Sequence, residues 1–185
     1  NFLAYGNNLQ VIRVVGAAAR NAIANASATA IMIKNEDHYL NTYLDGSASV
    51  GEFAAKFPGA LGNSLLVSMA DANTFGAWGY ADLFDNAPNT SDYVEDLNGA
   101  DDELHVILID VNGVWTGTPG TVLEKHPFLS KASDAKNSDG SSAYYKDVLN
   151  NRSKYVWWMD HPASMTNWGN VALDTSFTEL VAPIS

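Results

Sequence analysis

The chain has 185 residues, of which 46% are hydrophobic, and a net charge of −11 from 10 basic and 21 acidic side chains. That length suits one domain, or one domain with pieces of a neighbour, and the apolar content is enough to build a core. The acidic balance argues against nucleic acid and against an anionic membrane surface as partners, and the absence of cysteine excludes disulfides, thiolate metal sites and cysteine nucleophiles. The sequence starts at Asn1 and shows neither a signal peptide nor an apolar run long enough to span a bilayer. The expectation is a piece cut at both ends from a longer protein.

Asn1 to Tyr5 reads as the last turn of a helix, with Gly6 in the left-handed position after it. Leu9 to Val15 is apolar and β-branched, which predicts a buried strand ended by Gly16. Residues 17–30 mix Ala with Asn, Ser and Thr and read as a linker, with a short helix as the alternative. Asn35 is placed to cap a helix whose first turn carries Glu36 and Asp37, and Gly46-Ser47 breaks it. Pro58-Gly59 and Gly62-Asn63 predict a compact loop ahead of a strand over Ser64–Ala70. Residues 71–102 are aromatic, acidic and turn-rich, with little regular structure expected.

Leu104 to Ile109 is a strand, and Asn112-Gly113 predicts a type I′ hairpin turn into a second strand at Val114-Trp115-Thr116. Val122 to Leu129 is a short apolar-bearing segment interrupted by Pro127, and residues 133–142 form a polar loop. Tyr144, Tyr145, Val148 and Leu149 recur at helical spacing, with Ser141 or Ser142 as the cap. Tyr155 to Met159 is a further strand, stopped at His161-Pro162. The predicted class is α+β: an antiparallel β-rich sandwich or barrel-like domain flanked by a few short helices.

Ser133-Asp134-Ala135-Lys136 matches the S-x-x-K pattern of acyl-transfer enzymes, but S-D-N and K-T-G partners are missing and a solvated loop accounts for it. Asn137-Ser138-Asp139-Gly140 resembles part of a calcium loop. With Gly140 at the invariant glycine, Ala135 and Lys146 would hold the first and last ligand positions, and neither can. His38, His105, His126 and His161 lack zinc spacing; His105 reads as a strand histidine, and His126 and His161 precede prolines and read as turn residues. Asp101-Asp102-Glu103 reads as a solvated acidic loop. Trp157 and Trp158 alternate on one strand, so at least one belongs to a core rather than to a sugar-stacking surface. No residue is assigned a catalytic, cofactor-binding or metal role, and no cofactor is implied.

Four segments carry a family resemblance. Asn1 to Val15, with Gly6-Asn7-Asn8-Leu9-Gln10-Val11-Ile12-Arg13, resembles a helix followed by a G-N-x-L-x-V-x-R strand. Phe57-Pro58-Gly59-Ala60-Leu61-Gly62-Asn63-Ser64-Leu65 resembles an aromatic-Pro-Gly-x-x-Gly-Asn loop. Val122 to Ser130 resembles the segment after a hairpin, and Tyr144 to Val156, with Val148-Leu149-Asn150 and Ser153-Lys154-Tyr155-Val156, the helix and strand that follow. Together, in this order, they resemble the tail sheath proteins of contractile-tailed phages, especially the T4-like myoviruses. The sequence departs from that pattern in having only the short stretch 17–30 where the T4 sheath carries an additional inserted domain, and in lacking the family's L-x-G-G segment and large C-terminal region.

The resemblance implies a structural, non-enzymatic subunit fragment of a sheath that surrounds the tail tube and contracts to drive it through the host envelope for genome ejection. Residues 1–16 would be the edge of the sheath main body, 17–30 a linker, 31–165 an inserted β-rich domain, and 166–185 a truncated return segment. The implied partners are neighbouring sheath copies, the tail tube and the baseplate; the implied location is the virion, after assembly in the host cytoplasm. A related bacterial injection machine is a variant of this reading. The rivals are a carbohydrate-binding or adhesion module, suggested by the Trp and Tyr content, and a hydrolase whose site only the fold assembles. The fragment itself is expected to be predominantly monomeric, because its charge opposes close approach of copies.

Overall fold

The computed structural model describes residues 12–163, 168–172 and 180–183. In chain order the elements are α1 (Glu36–Thr42), β1 (Phe53–Ala55), β2 (Leu65–Asp71), α2 (Asp92–Asp96), β3 (Glu103–Asp110), β4 (Thr121–Ser130), α3 (Tyr145–Arg152), β5 (Val156–Trp158) and β6 (Leu180–Pro183). The class is α+β. A four-stranded sheet runs β4-β3-β2-β6 and a two-stranded one pairs β1 with β5, every pair antiparallel. The larger sheet is open, and no barrel closes among the described residues.

The two sheets and α3 share the main core. Leu65, Val67 and Met69 of β2 and Leu104, Val106 and Leu108 of β3 meet Phe53, Val156 and Trp158 of the small sheet and Tyr145 and Leu149 of α3. The opposite face of β2–β3 is also covered: Leu66, Ala70, Ile107 and Ile109 lie under Trp78, whose indole N–H donates to Ser68 Oγ at 2.8 Å. Hence every residue of β2 is buried, although only alternate ones face the main core. A further cluster joins Ile23, Ile33, Tyr39, Val50, Trp157 and Met159. Trp157 and Trp158 do point to opposite sides of β5, and both are buried.

Local chemistry explains the helices. Asn35 Oδ1 accepts from the His38 N–H at 2.8 Å and starts α1 as expected. At α3 the N-cap is Tyr144, while Ser142 Oγ accepts the Tyr144 N–H and donates to Asp147. Lys56 Nζ donates to the carbonyls of Asn150 and Ser153 at 3.0 and 2.6 Å, placing a cation where the helix leaves its acceptors open. The loop before β2 is tight, as its composition predicts: Gly59 has φ +110, where a side chain is strained, and one short 3₁₀ turn spans Ala60–Ser64. Residues 17–30 hold no helix; Ile23 bridges Ala54 of β1, and Asn21, Ala22 and Ile23 are buried.

Three expectations need correction. Residues 12–15 are not a buried strand: Ile12 and Val14 are 85% and 91% exposed, because no described strand pairs with them. Residues 9–11, and the helix end at Asn1–Gly6, lie outside the described residues. The Asn112-Gly113 hairpin does not form. β3 passes to β4 through residues 111–120, and Val114-Trp115-Thr116 lies in that connection. Gly113 has φ +73, but Asn112 does not take the positive φ that a type I′ turn needs. The cause is Asp110, whose carboxylate accepts the N–H groups of Val114, Trp115 and Thr116 at 2.8–3.0 Å and so turns inward the donors a second strand would need.

The third correction concerns Pro127, which does not interrupt its segment. Leu129 pairs with Leu104 and His126 with Val106, so Pro127 and Phe128 together stand opposite His105 in a bulge. His126 therefore lies inside β4 rather than in a turn. Phe128 takes φ +52 and gives its N–H to His105 Nδ1 at 3.0 Å.

Asp110 also accepts from Ser64 Oγ at 2.5 Å and Thr116 Oγ1 at 2.9 Å. Burial alone would raise its pKa, but these donors outweigh burial and hold it below the ordinary carboxylate value. Replacing Asp110 with Ala strands several buried donors and should cost about 3 kcal/mol or more. The expected thermal melt falls by about 10 °C, with Asp110→Asn intermediate. A melt of Asp110→Ala within about 2 °C of the parent would show that the loop holds without this carboxylate.

Candidate functional site

The residues singled out for chemistry are dispersed and mostly engaged in local structure. Ser133 Oγ donates to Asn170 Oδ1 at 3.0 Å on an exposed loop, and Lys136 is exposed, its backbone bridging Ser142. Asp139 Oδ1 accepts from the Ser141 N–H and hydroxyl, which closes the 137–140 turn. No group of three potential metal ligands gathers among the described residues. The trio Asp101-Asp102-Glu103 splits: Asp102 is fully buried, whereas Asp101 and Glu103 are partly exposed. The solvated-loop reading is therefore wrong for Asp102.

His38 Nδ1 accepts the Lys34 N–H beside the start of α1, and His126 Nε2 meets Glu124 at 3.1 Å. His105 is a core histidine. Because Nδ1 accepts the Phe128 N–H, Nε2 carries the proton and donates to the Asn86 carbonyl at 2.9 Å. Its ring stacks on Phe84 at 4.3 Å, and burial lowers its pKa.

His161 is the least ordinary of the four. The Trp158 indole N–H donates to Tyr145 Oη at 2.6 Å, so the Tyr145 hydroxyl proton points on to His161 Nδ1, also at 2.6 Å. The imidazole is therefore neutral, protonated on Nε2, and stacked on Trp168 at 4.3 Å. Burial pushes its pKa down to about 4; Asp160 opposes the shift and Lys146 adds to it. Burial also holds the Tyr145 hydroxyl well above its ordinary pKa. The pattern His-Pro gave no sign of this relay, which joins α3, β5 and the segment after it.

Charge is strongly segregated along the sequence. Residues 57–124 carry eleven carboxylates and no Lys or Arg; four charges of each sign precede them and six of each follow, so this stretch accounts for the whole net charge of −11. Asp71, Asp102 and Asp110 are buried, while Asp82, Asp85, Asp92, Glu95 and Asp96 are exposed on the connection between β2 and β3. This exposed acidic connection is the candidate interaction surface; Phe84, between Asp82 and Asp85, belongs to the aromatic layer with Trp78, whereas α2 packs through Val94 on Ala132, Ala135 and Ala143. Lys125 reaches the connection from β4 and donates to the Leu83 carbonyl at 3.0 Å. Beneath it Leu83, Phe84, Asn86, Lys125, Pro127 and Phe128 help line a cavity of about 290 Å³.

No family model matches the chain. Its sequence is similar to a phage tail sheath protein. Over 122 residues, 66% of the chain, it is 32% identical to the tail sheath protein of Salmonella phage ViI. The chain spans 17% of the length of that relative. The similarity supports a tail sheath family assignment for the matched part of the chain. Trp157 and Trp158, the pair weighed for sugar stacking, are at most 5% exposed.

The His161 relay yields a pH prediction. An unfolded histidine titrates near 6.5 and the folded one at about 4. Between those values the unfolded chain binds more protons, so this group's contribution is complete above the unfolded pKa and is lost as pH falls toward 4. The urea midpoint of the parent should therefore drop more steeply from pH 7 to pH 4.5 than that of His161→Phe. Parallel pH profiles for the two proteins would refute the relay.

Proposed function

We propose that this chain is a structural part of the tail sheath subunit of a contractile-tailed phage, acting without cofactor or catalysis. The observation that carries the reading is the 32% identity to the tail sheath protein of Salmonella phage ViI over two thirds of this chain. In this reading the subunit assembles with copies of itself around the tail tube, above the baseplate, in the host cytoplasm, and works in the virion. Contraction drives the tube through the host envelope for genome ejection.

The proposed division makes residues 1–16 the edge of the sheath main body and 31–165 a domain inserted into it. Residues 17–30 lead in and 166–185 return. The buried Asn21–Ile23 stretch and the pairing of β6 with β2 favour a unit into which both connections are firmly built. Such a unit moves as a rigid body when the surrounding lattice rearranges, with its own core unchanged. Its exposed acidic connection between β2 and β3 suits a position toward solvent better than one pressed against the same connection of a neighbouring copy.

Antibody raised against this chain, followed with gold in the electron microscope, should decorate tails along their whole length. Label confined to the tail tip, or on fibres alone, would overturn the reading. The position of the unit has a separate test. Replacing residues 31–160 of the full-length subunit with a short flexible linker should leave ordered sheath intact. A truncated subunit that folds but never polymerises would place this domain within the lattice contacts.

A further inference from the structure

Three charged residues are buried together at one end of the larger sheet. Asp71 ends β2, Asp102 immediately precedes β3, and Lys131 immediately follows β4; all three are at most 1% exposed. Strand register brings them together, since Leu104 pairs with Asp71 on one side and with Leu129 on the other. Lys131 Nζ lies 3.8 Å from Asp71 Oδ2, beyond hydrogen-bonding distance.

The two oxygens of Asp71 differ in what holds them. Oδ1 accepts from the N–H groups of Asn73 and Thr74 at 3.0 and 3.1 Å and from Thr74 Oγ1 at 3.1 Å, which closes the turn after β2. Oδ2, the oxygen nearest Lys131, is buried and accepts no hydrogen bond. A buried, unbonded carboxylate oxygen is costly. Asp102 is firmly oriented nearby: Oδ1 accepts the Ser91 N–H at 2.7 Å, and Oδ2 accepts from the hydroxyls of Ser91 and Ser130. Its backbone carbonyl accepts the Lys131 N–H at 2.9 Å.

We propose that Lys131 and Asp71 join in an intramolecular isopeptide bond, with Asp102 as the proton carrier. The unprotonated Lys131 Nζ attacks Cγ of the protonated Asp71 carboxyl. An N–C bond forms, the C–Oδ2 bond breaks, and Oδ2 leaves as water. Asp102 takes the proton that the nitrogen loses and returns one to the departing oxygen. The balance is amine plus carboxylic acid to amide plus water, with no other reactant. Burial favours the reactive form of the amine: it lowers the Lys131 pKa, against the pull of Asp71, Asp102 and Asp101. The fixed neighbourhood replaces activation of the acid by proximity, the lysine stem having only to close a short gap.

The geometry favours the product. The amide oxygen is Oδ1, so all three hydrogen bonds of the Asp71 turn persist, while the oxygen that leaves is the one without a hydrogen bond. Two buried charges disappear. The new bond ties β2 to β4 across the first residues of β3, a staple suited to a protein under mechanical load.

The test is the intact mass of the denatured chain. The parent should be lighter than its sequence by one water, and digestion should give a branched peptide joining Asp71 to Lys131. Lys131→Met should have its full sequence mass. Asp102→Asn, with a native circular dichroism spectrum, should largely retain the water. A parent at full sequence mass reduces the cluster to an ion pair and overturns the proposal, as does a water loss that persists in Lys131→Met. Undiminished crosslinking in Asp102→Asn would overturn the role given to Asp102.

Discussion

Buried carboxylates bracket the pair β2–β3, and the rest of the structure is arranged around that constraint. At one end Asp110 gathers hydrogen bonds from Ser64, Val114, Trp115 and Thr116. At the other, Asp71 closes the turn after β2, and Asp102 binds Ser91, the N-cap of α2, to Ser130 at the end of β4. The last residues of strands covered on both faces are themselves buried, and their neighbouring backbone groups need partners. Side-chain carboxylates are those partners, and they dictate where each connection leaves the sheet.

This explains which parts of the fold were legible in the sequence. The cap at Asn35, the helix around Tyr145 to Leu149, and the strands over Leu65–Asp71 and Val156–Trp158 rest on short-range periodicity and local hydrogen bonds, and both can be read from neighbours in the chain. The hairpin at Asn112-Gly113 was misread because the deciding partner, Ser64, is far away in sequence: it positions Asp110, and Asp110 then outcompetes the tight turn for three N–H groups. Pro127 was misread for a related reason, since its bulge depends on His105 accepting the Phe128 N–H across the sheet.

The chemistry was less legible than the fold. Nothing in the residues beside Lys131, namely Ser130, Ala132 and Ser133, points to a buried charge. Lys131 is buried because the register of β3 against β4 carries it beneath the α2 connection. Asp102, one of three consecutive acids, behaves unlike its neighbours for the same reason. The His161 relay joins residues from α3 and β5 that share no motif with His161. In each case tertiary placement sets the role, and residue type supplies only the capacity for it.

The segregation of charge bears on how such a unit would sit in an assembly. Eleven carboxylates without a Lys or Arg between Phe57 and Glu124 leave the flanking stretches electrically balanced. At physiological ionic strength charges are screened over about 8 Å, so the acidic connection repels its like on another copy only at close approach. In the proposed lattice, copies can therefore meet through their charge-balanced stretches, while close contact between acidic connections costs energy. Burying both faces of β2–β3 gives the unit a stiff centre, so a force applied through its connections shifts the whole body before it deforms the sheet. A stiff body whose acidic surplus is confined to residues 57–124 can be shifted whole without repacking, and that links the internal packing to the proposed mechanical role.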